Sequence, residues 1–288
     1  MRATAIMAML IAACLATATP AAAQDSGGNA GASQSNGKTS EEILVQGLPE
    51  GDPPVEQRPT TTNRARAERQ VAGDSHRFVR CMRNADPEIL RRMLAAEPEA
   101  RARAIELDRL IRRNTGCFSG LPMLLPMAPP PYYGQCNPIL FGDMPGETVC
   151  HSFYDFGALV EYVLERYADD LDLTAVITRN RVIAERFMRR ETARNEHRTS
   201  NGRNFFEITS CIVQLHPERA LGLVRSEPGS NAEERLRGFL LGYSEPCLGD
   251  VEEIRVDPAQ FRVYIAEAVY EWALAARDVE SLIPADAD

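Results

Sequence analysis

Residues 81–98 read CMRNADPEILRRMLAAEP, and residues 211–228 read CIVQLHPERALGLVRSEP. Cys, Pro, Glu and the closing Glu-Pro fall at the same places in both. In the first stretch Asp86 offers an N-cap carboxylate, Pro87 takes the first helical position, and Ile89, Leu90, Met93 and Leu94 recur at the spacing of one helix face. At a constant offset of 130 residues, 81–117 aligns with 211–247 without a gap and with eight identities in 37 positions. They are Cys81/Cys211, Pro87/Pro217, Glu88/Glu218, Glu97/Glu227, Pro98/Pro228, Ala102/Ala232, Leu110/Leu240 and Cys117/Cys247. The alignment predicts one helical unit used twice.

Working outward, Asp74 can cap a preceding helix through Phe78, Val79 and Met82, and a third helix runs from Glu99 to Arg113, stopping near Gly116. In the second unit Asn231 and Glu234 stand at capping-box spacing. Each unit closes on a further helix: FGALVEYVLERYA after Asp155, and DPAQFRVYIAEAVYEWALAA, capped by Asp257 with Pro258 following. Tyr167 and Tyr270 hold similar places near their ends. Thr174 to Arg198 predicts an extra helix with Val176, Ile177, Ile183, Phe187 and Met188 on its apolar side. Strand-like alternation is nearly absent. The expected class is all-α, with two similar disulfide-stapled units of about four helices each. They span 74–172, which carries a Pro-rich loop at 121–150, and 204–288; the connecting helix lies in 173–203.

Residues 1–23 have the pattern of an export signal, with Arg2, an apolar run from Ala3 to Ala18, and cleavage after Ala23 in TPAAAQ. A rival reading takes IAAC as a lipobox and lipidates Cys14. No run reaches the ~18 apolar residues of a membrane span. The expected location is therefore periplasmic or secreted. From Gln24 to Gly73 the composition predicts a disordered tail. Within it EEILVQG, residues 41–47 with Ile43, Leu44 and Val45, resembles the TonB box, which pairs with an energy-coupling protein by strand addition. The plug and barrel that follow such a box do not fit in the remaining chain, and the plainer reading is a stray apolar patch. The net charge of −9 becomes −10 once Arg2 leaves with the signal. That balance argues against sequence-independent nucleic-acid binding, which rests on neutralising phosphates.

Six cysteines follow the signal: Cys81, Cys117, Cys136, Cys150, Cys211 and Cys247. Six allow fifteen pairings. A bridge inherited with a unit recurs in both, which selects Cys81–Cys117 and Cys211–Cys247 and leaves Cys136–Cys150 to close the base of the Pro-rich loop. A zinc site needs four ligands at paired short spacings, and no such set is present, so neither metal nor cofactor is expected. Of the histidines, His216 stands where the first unit has Asp86 and marks a helix start. His76 and His197 read as solvated. His151, beside Cys150 where the loop meets a helix, stays open. No nucleophile elbow, zinc-protease helix or phosphate-cradling loop is found, and the carboxylates of YADDLD (167–172) read as a solvated turn. Residues 179–198 carry seven Arg against three Glu, a face for an anionic surface or acidic partner, or a solvated face over a buried stripe. Tyr132 and Tyr133 in MAPPPYYG form either an extended partner-binding segment or a rigid loop.

The pattern of Cys, Asp-Pro or His-Pro, a second Cys and a helix ending in Ala-Glu-Ala-Val-Tyr resembles a group of exported bacterial proteins with no assigned activity. The likeness covers most of the chain after residue 74. It implies the helical fold and brings no catalytic residues. The expectation is a binding or scaffolding protein with a cell-envelope partner rather than an enzyme. The alternatives are an enzyme with its site between the two units, and TonB-type coupling through 41–47.

Overall fold

Pro87, Pro217 and Pro258 each open a helix, because the first turn needs no N–H from them and their ring presets the helical φ. A computed structural model describes residues 61–82, 85–118, 129–135, 149–249 and 257–287, all within one compact unit, Glu41–Asp288. The element order is α1 (Thr61–Cys81), α2 (Pro87–Ala95), α3 (Arg101–Arg113), a 3₁₀ turn (Thr115–Cys117), α4 (His151–Tyr167), α5 (Ala175–Thr178) and α6 (Arg181–Asn195). It continues with α7 (Ser200–Leu215), α8 (Pro217–Arg225), α9 (Asn231–Gly242), α10 (Glu245–Leu248) and α11 (Pro258–Arg277). The fold is all-helical, with no strand among the described residues. The expected signal (1–23), Cys14, the segment with Ile43, Leu44 and Val45, and most of the Pro-rich loop lie outside the described residues.

The backbone repeats as the alignment does. Ala96 and Ser226, which end α2 and α8, have φ/ψ of −67°/146° and −77°/150°. Glu99 and Gly229 both take positive φ, at 57° and 76°. Ala100 N–H donates to the Glu97 carbonyl at 3.2 Å, and Ser230 N–H to that of Glu227 at 3.1 Å. Before the second cysteines, Cys117 N–H donates to the Asn114 carbonyl and Cys247 N–H to that of Ser244. Each of these pairs is separated by the offset of 130 residues seen in the sequence.

The disulfides Cys81–Cys117 and Cys211–Cys247 form as expected, with Cα atoms 5.5 and 5.6 Å apart. The first ties the end of α1 to the 3₁₀ turn, the second α7 to α10. Closing a loop of this length stabilises by roughly 3–4 kcal/mol in the chain-entropy view. Cys150 is also disulfide-bonded; its expected partner Cys136 lies outside the described residues.

Helices α4 and α11 form the centre and pack on each other, with α1 against α4 and α7 and α8 against α11. Their contact is close at Gly157, where an added Cβ would lie 2.5 Å from Val263 Cγ2. One apolar cluster runs through both halves, including Phe78, Leu90, Leu110, Leu159, Leu223, Phe261 and Trp272. Trp272 stacks on Phe187 at 4.1 Å and donates its indole N–H to the Ser210 carbonyl.

Four local expectations change. Helix α1 starts at Thr61, not Asp74, because Ala67 and Val71 bury against Val149, Tyr154 and Val263; Asp74 sits inside it, paired with Arg77. Helix α4 starts at His151, ahead of Asp155. The cap of α9 is Ser230 rather than Asn231: its hydroxyl accepts the Glu233 N–H, and Glu233 reaches back to the Gly229 N–H. The connecting helix breaks into α5 and α6 at Asn180, whose side chain accepts the N–H groups of Val182 and Ile183. That break leaves Val176 and Met188 facing outward, 83% and 60% exposed, while Phe187 remains buried.

Candidate functional site

Arg262 leaves α11 at its contact with α4 and is buried. Its guanidinium donates from Nε and Nη2 to the two Glu161 oxygens, both at 2.8 Å. The same group donates to the Leu223, Val224 and Ser226 carbonyls at 3.1, 2.9 and 2.8 Å. These carbonyls lie at the end of α8, where the i→i+4 ladder runs out, and that of Leu223 also accepts the Ser226 N–H. Glu233 of α9 stands 3.7 Å away. Burial pulls the Arg262 guanidinium down, but Glu161 and Glu233 outweigh it and hold it above its ordinary range. Glu161 is pushed up to about 7 by burial, against the pull of Arg262. His76 of α1, expected to be solvated, lies 3.9 Å from Glu161. Burial, with Arg262 and Arg80 nearby, lowers it to about 4.

A second ionic cluster sits where α3, α6 and α11 approach. Arg103 of α3 lies 3.6 Å from Glu267, and Arg198 reaches both Glu267 at 3.2 Å and Glu191 at 3.3 Å. Arg194 meets Glu271 at 3.0 Å and Glu191 at 3.2 Å. Three guanidinium groups thus face three carboxylates. Burial, then Glu271, pushes Glu191 up to about 9 against Arg194 and Arg198. Glu267 goes the other way: burial raises it, but Arg198, Arg103 and Arg194 outweigh burial. Burial brings Arg103 down to about 10 despite Glu267. Arg103 lies over the Phe156 ring at 4.3 Å and Arg198 over Phe206 at 3.6 Å.

The two clusters mirror each other in the repeat. Arg103 and Glu233 occupy equivalent positions. Arg103 donates to the Ala96 carbonyl at 2.9 Å, as Arg262 does to the equivalent Ser226 carbonyl. In the first half the cation comes from α3 and its carboxylate from α11; in the second, α9 gives the carboxylate and α11 the cation.

His151 is buried and its Nδ1 lies 2.7 Å from Asp155 Oδ2, one helical turn on. Its Nε2 is buried with no hydrogen-bond partner among the described residues. The Phe118 ring lies 5.0 Å away. His197 is exposed, and His216 precedes Pro217 at the start of α8, beside Phe239 at 5.3 Å. Of the Pro-rich loop, Pro129–Gln135 is described, and it lies along α3. Tyr133 N–H donates to Asp108 Oδ1 at 2.9 Å, and its ring lies 5.1 Å from the Arg112 guanidinium. Gly134 is so close that a Cβ there would fall 1.7 Å from the Ala104 carbonyl oxygen. Tyr132 and Tyr133 are half-buried and meet edge to face at 5.1 Å.

Sequence reasoning missed Glu161, Arg262 and the Arg103 cluster, because charged residues on amphipathic helices read as solvated. The signal available was the placement of Arg262, Glu267 and Glu271 within the otherwise apolar α11. Chemically, these groups pair with one another and fasten helices, while Arg103 Nε, Arg198 Nη1 and Glu271 Oε2 stay buried without a hydrogen-bond partner among the described residues. Among the same residues no group of three or more His, Cys, Asp or Glu is placed to hold a metal ion. No described helix is long and apolar enough to cross a membrane. In comparisons with known proteins, the chain matches no family model, no curated protein and no solved structure.

Proposed function

We propose that the chain is an exported cell-envelope protein that works by binding, its disulfide-stapled helical body holding the N-terminal segment and the proline-rich turn 129–135 for a partner. The observation that carries this reading is the seating of Pro129–Gln135 on α3 through Tyr133 and Asp108. A proline-rich stretch laid on a rigid helix loses little conformational freedom when a partner engages it. The disulfides suit an oxidising compartment. The internal pairing of Arg262, Glu161, Arg103 and Glu267 suits a scaffold, since those groups are spent on helix packing. Cross-linking in envelope extract, followed by recovery of the protein, tests the reading. Full-length protein should recover a partner, and Tyr132→Ser or removal of residues 24–60 should reduce it. Equal recovery from all three proteins overturns it.

One observation favours a second reading, an enzyme. Asp155 holds His151 by Nδ1 and leaves Nε2 without a partner among the described residues, an arrangement that suits a general base. A panel of hydrolase substrates in which His151→Gln behaves as the native protein removes it.

A further inference from the structure

The face of α3 that carries Pro129–Gln135 has a counterpart on α9. Ala104, Asp108 and Arg112, which lie beneath that segment, are equivalent at the offset of 130 residues to Glu234, Gly238 and Gly242. Asp108 is fully buried under Tyr133, whereas Gly238 and Gly242 are exposed, and a Cβ on either would meet nothing within 4 Å. The flanking positions have changed as well. In the first half Asp86 pairs with Arg113 beside the exposed Arg109. In the second half those three positions are His216, Tyr243 and Phe239. Phe239 and Tyr243 lie 4.6 Å apart, His216 joins them at 5.3 and 6.1 Å, and the Arg219 guanidinium lies 5.1 Å over the Phe239 ring. Tyr243 is 59% exposed. An exposed ion pair beside a covered face has become an aromatic surface beside an open one.

We propose that the face of α9 formed by Gly238, Gly242, Phe239 and Tyr243 docks a proline-rich turn of a partner protein, as α3 docks the turn Pro129–Gln135 of its own chain. The inference rests on the binding-protein reading and names the surface and the ligand chemistry. Three features argue for that occupant. The equivalent face already carries such a segment. The glycines leave room for a peptide backbone at the helix surface. The half-buried Phe239 ring and the exposed Tyr243 ring offer flat faces for proline rings. The charges on this face, Glu234, Arg235 and Arg219, are mixed in sign, which favours a near-neutral peptide over a polyanion or polycation.

The test titrates the full-length, ¹⁵N-labelled protein with a synthetic peptide of sequence PPPYYGQ and with a scrambled peptide lacking adjacent prolines. Saturable shifts at the Gly238 and Gly242 amides are expected with the first peptide only. Gly238→Arg and Tyr243→Ala should each weaken binding by about tenfold or more, as loss of a contact near the centre of an interface does. Both substitutions fall on open surface, and unchanged helicity by circular dichroism verifies the fold. Arg112→Ala, on the covered face, should leave the affinity unchanged. No saturation at millimolar peptide, or native affinity in both α9 variants, overturns the inference. If the cross-linked partner is still recovered while peptide binding is absent, this inference fails and the binding-protein reading stands.

Discussion

Arg262 and Glu161, 101 residues apart in sequence, meet across the α4–α11 contact through two parallel 2.8 Å hydrogen bonds. The same guanidinium closes the end of α8, so one side chain fastens three helices. Breaking such a buried pair from one side leaves the other charge uncompensated, and the cost is about 3–5 kcal/mol. Arg262→Met should therefore destabilise strongly, and the double variant Arg262→Met, Glu161→Leu should recover part of that loss. Urea unfolding of the native, single and double variants measures the coupling. Additive losses would show that the pair is not a unit.

Protonation gives the second expectation, with two groups of opposite sign. His76 falls from 6.5 to about 4 on folding. The folded state resists protonating it, so its contribution is present above pH 6.5 and is lost as pH falls toward 4. Glu191 rises from 4.5 to about 9. The folded state keeps a proton that the unfolded chain has released, so stability declines as pH rises from 4.5 to 9. Glu161, raised to about 7, acts in the same direction over its narrower window. Glu161 has finished titrating by about pH 8, so between pH 8 and 9 Glu191 is the one of the three still changing. The urea midpoint of the native protein should fall across that interval, and the Glu191→Gln midpoint should stay level. A parallel fall in both proteins would exclude Glu191 as the source.

What could be read in advance was set by local chemistry. Asp86–Pro87 and Asp257–Pro258 begin helices through their own carboxylates and rings, so their positions needed no tertiary information. The cysteine pairs followed from the repeat. The start of α1 was hidden because its first half has only Ala67 and Val71 as buried apolar residues, too few for a period. Val176 and Met188 misled because Asn180 competes for two N–H groups and breaks the helix between them. The ionic clusters were illegible for a different reason: a Glu or Arg shows its partner only once the chain brings distant helices together.

Glu99 and Gly229 share a left-handed backbone conformation at equivalent positions, yet only glycine adopts it without strain. The carboxylate of Glu99 accepts the Thr199 N–H and hydroxyl, both at 3.1 Å, at the start of α7. That contact holds a strained residue in place. Glu99→Ala loses the contact and keeps the strain, whereas Glu99→Gly loses the contact and releases it. The glycine variant should be more stable than the alanine variant by about 1 kcal/mol. Thermal unfolding of the two proteins side by side decides, and equal midpoints would mean that the backbone at residue 99 carries no strain.

The approach of α4 to α11 at Gly157 sets the remaining expectation. A methyl group at residue 157 would lie 2.5 and 2.9 Å from the two Val263 methyl carbons, well inside van der Waals contact. Val263 is buried on a helix packed from several sides, so it has little room to withdraw. Gly157→Ala should therefore cost about 1–3 kcal/mol through overpacking, even though alanine is the better helix former by roughly 1 kcal/mol. Val263→Ala alone should also destabilise, by opening a cavity beside Ala67 and Tyr154. Combined, the two substitutions exchange a methyl group across the interface, and the double variant should be more stable than the sum of the single losses predicts. Chemical unfolding of all four proteins measures that coupling; strict additivity would mean that the two helices can shift apart without penalty.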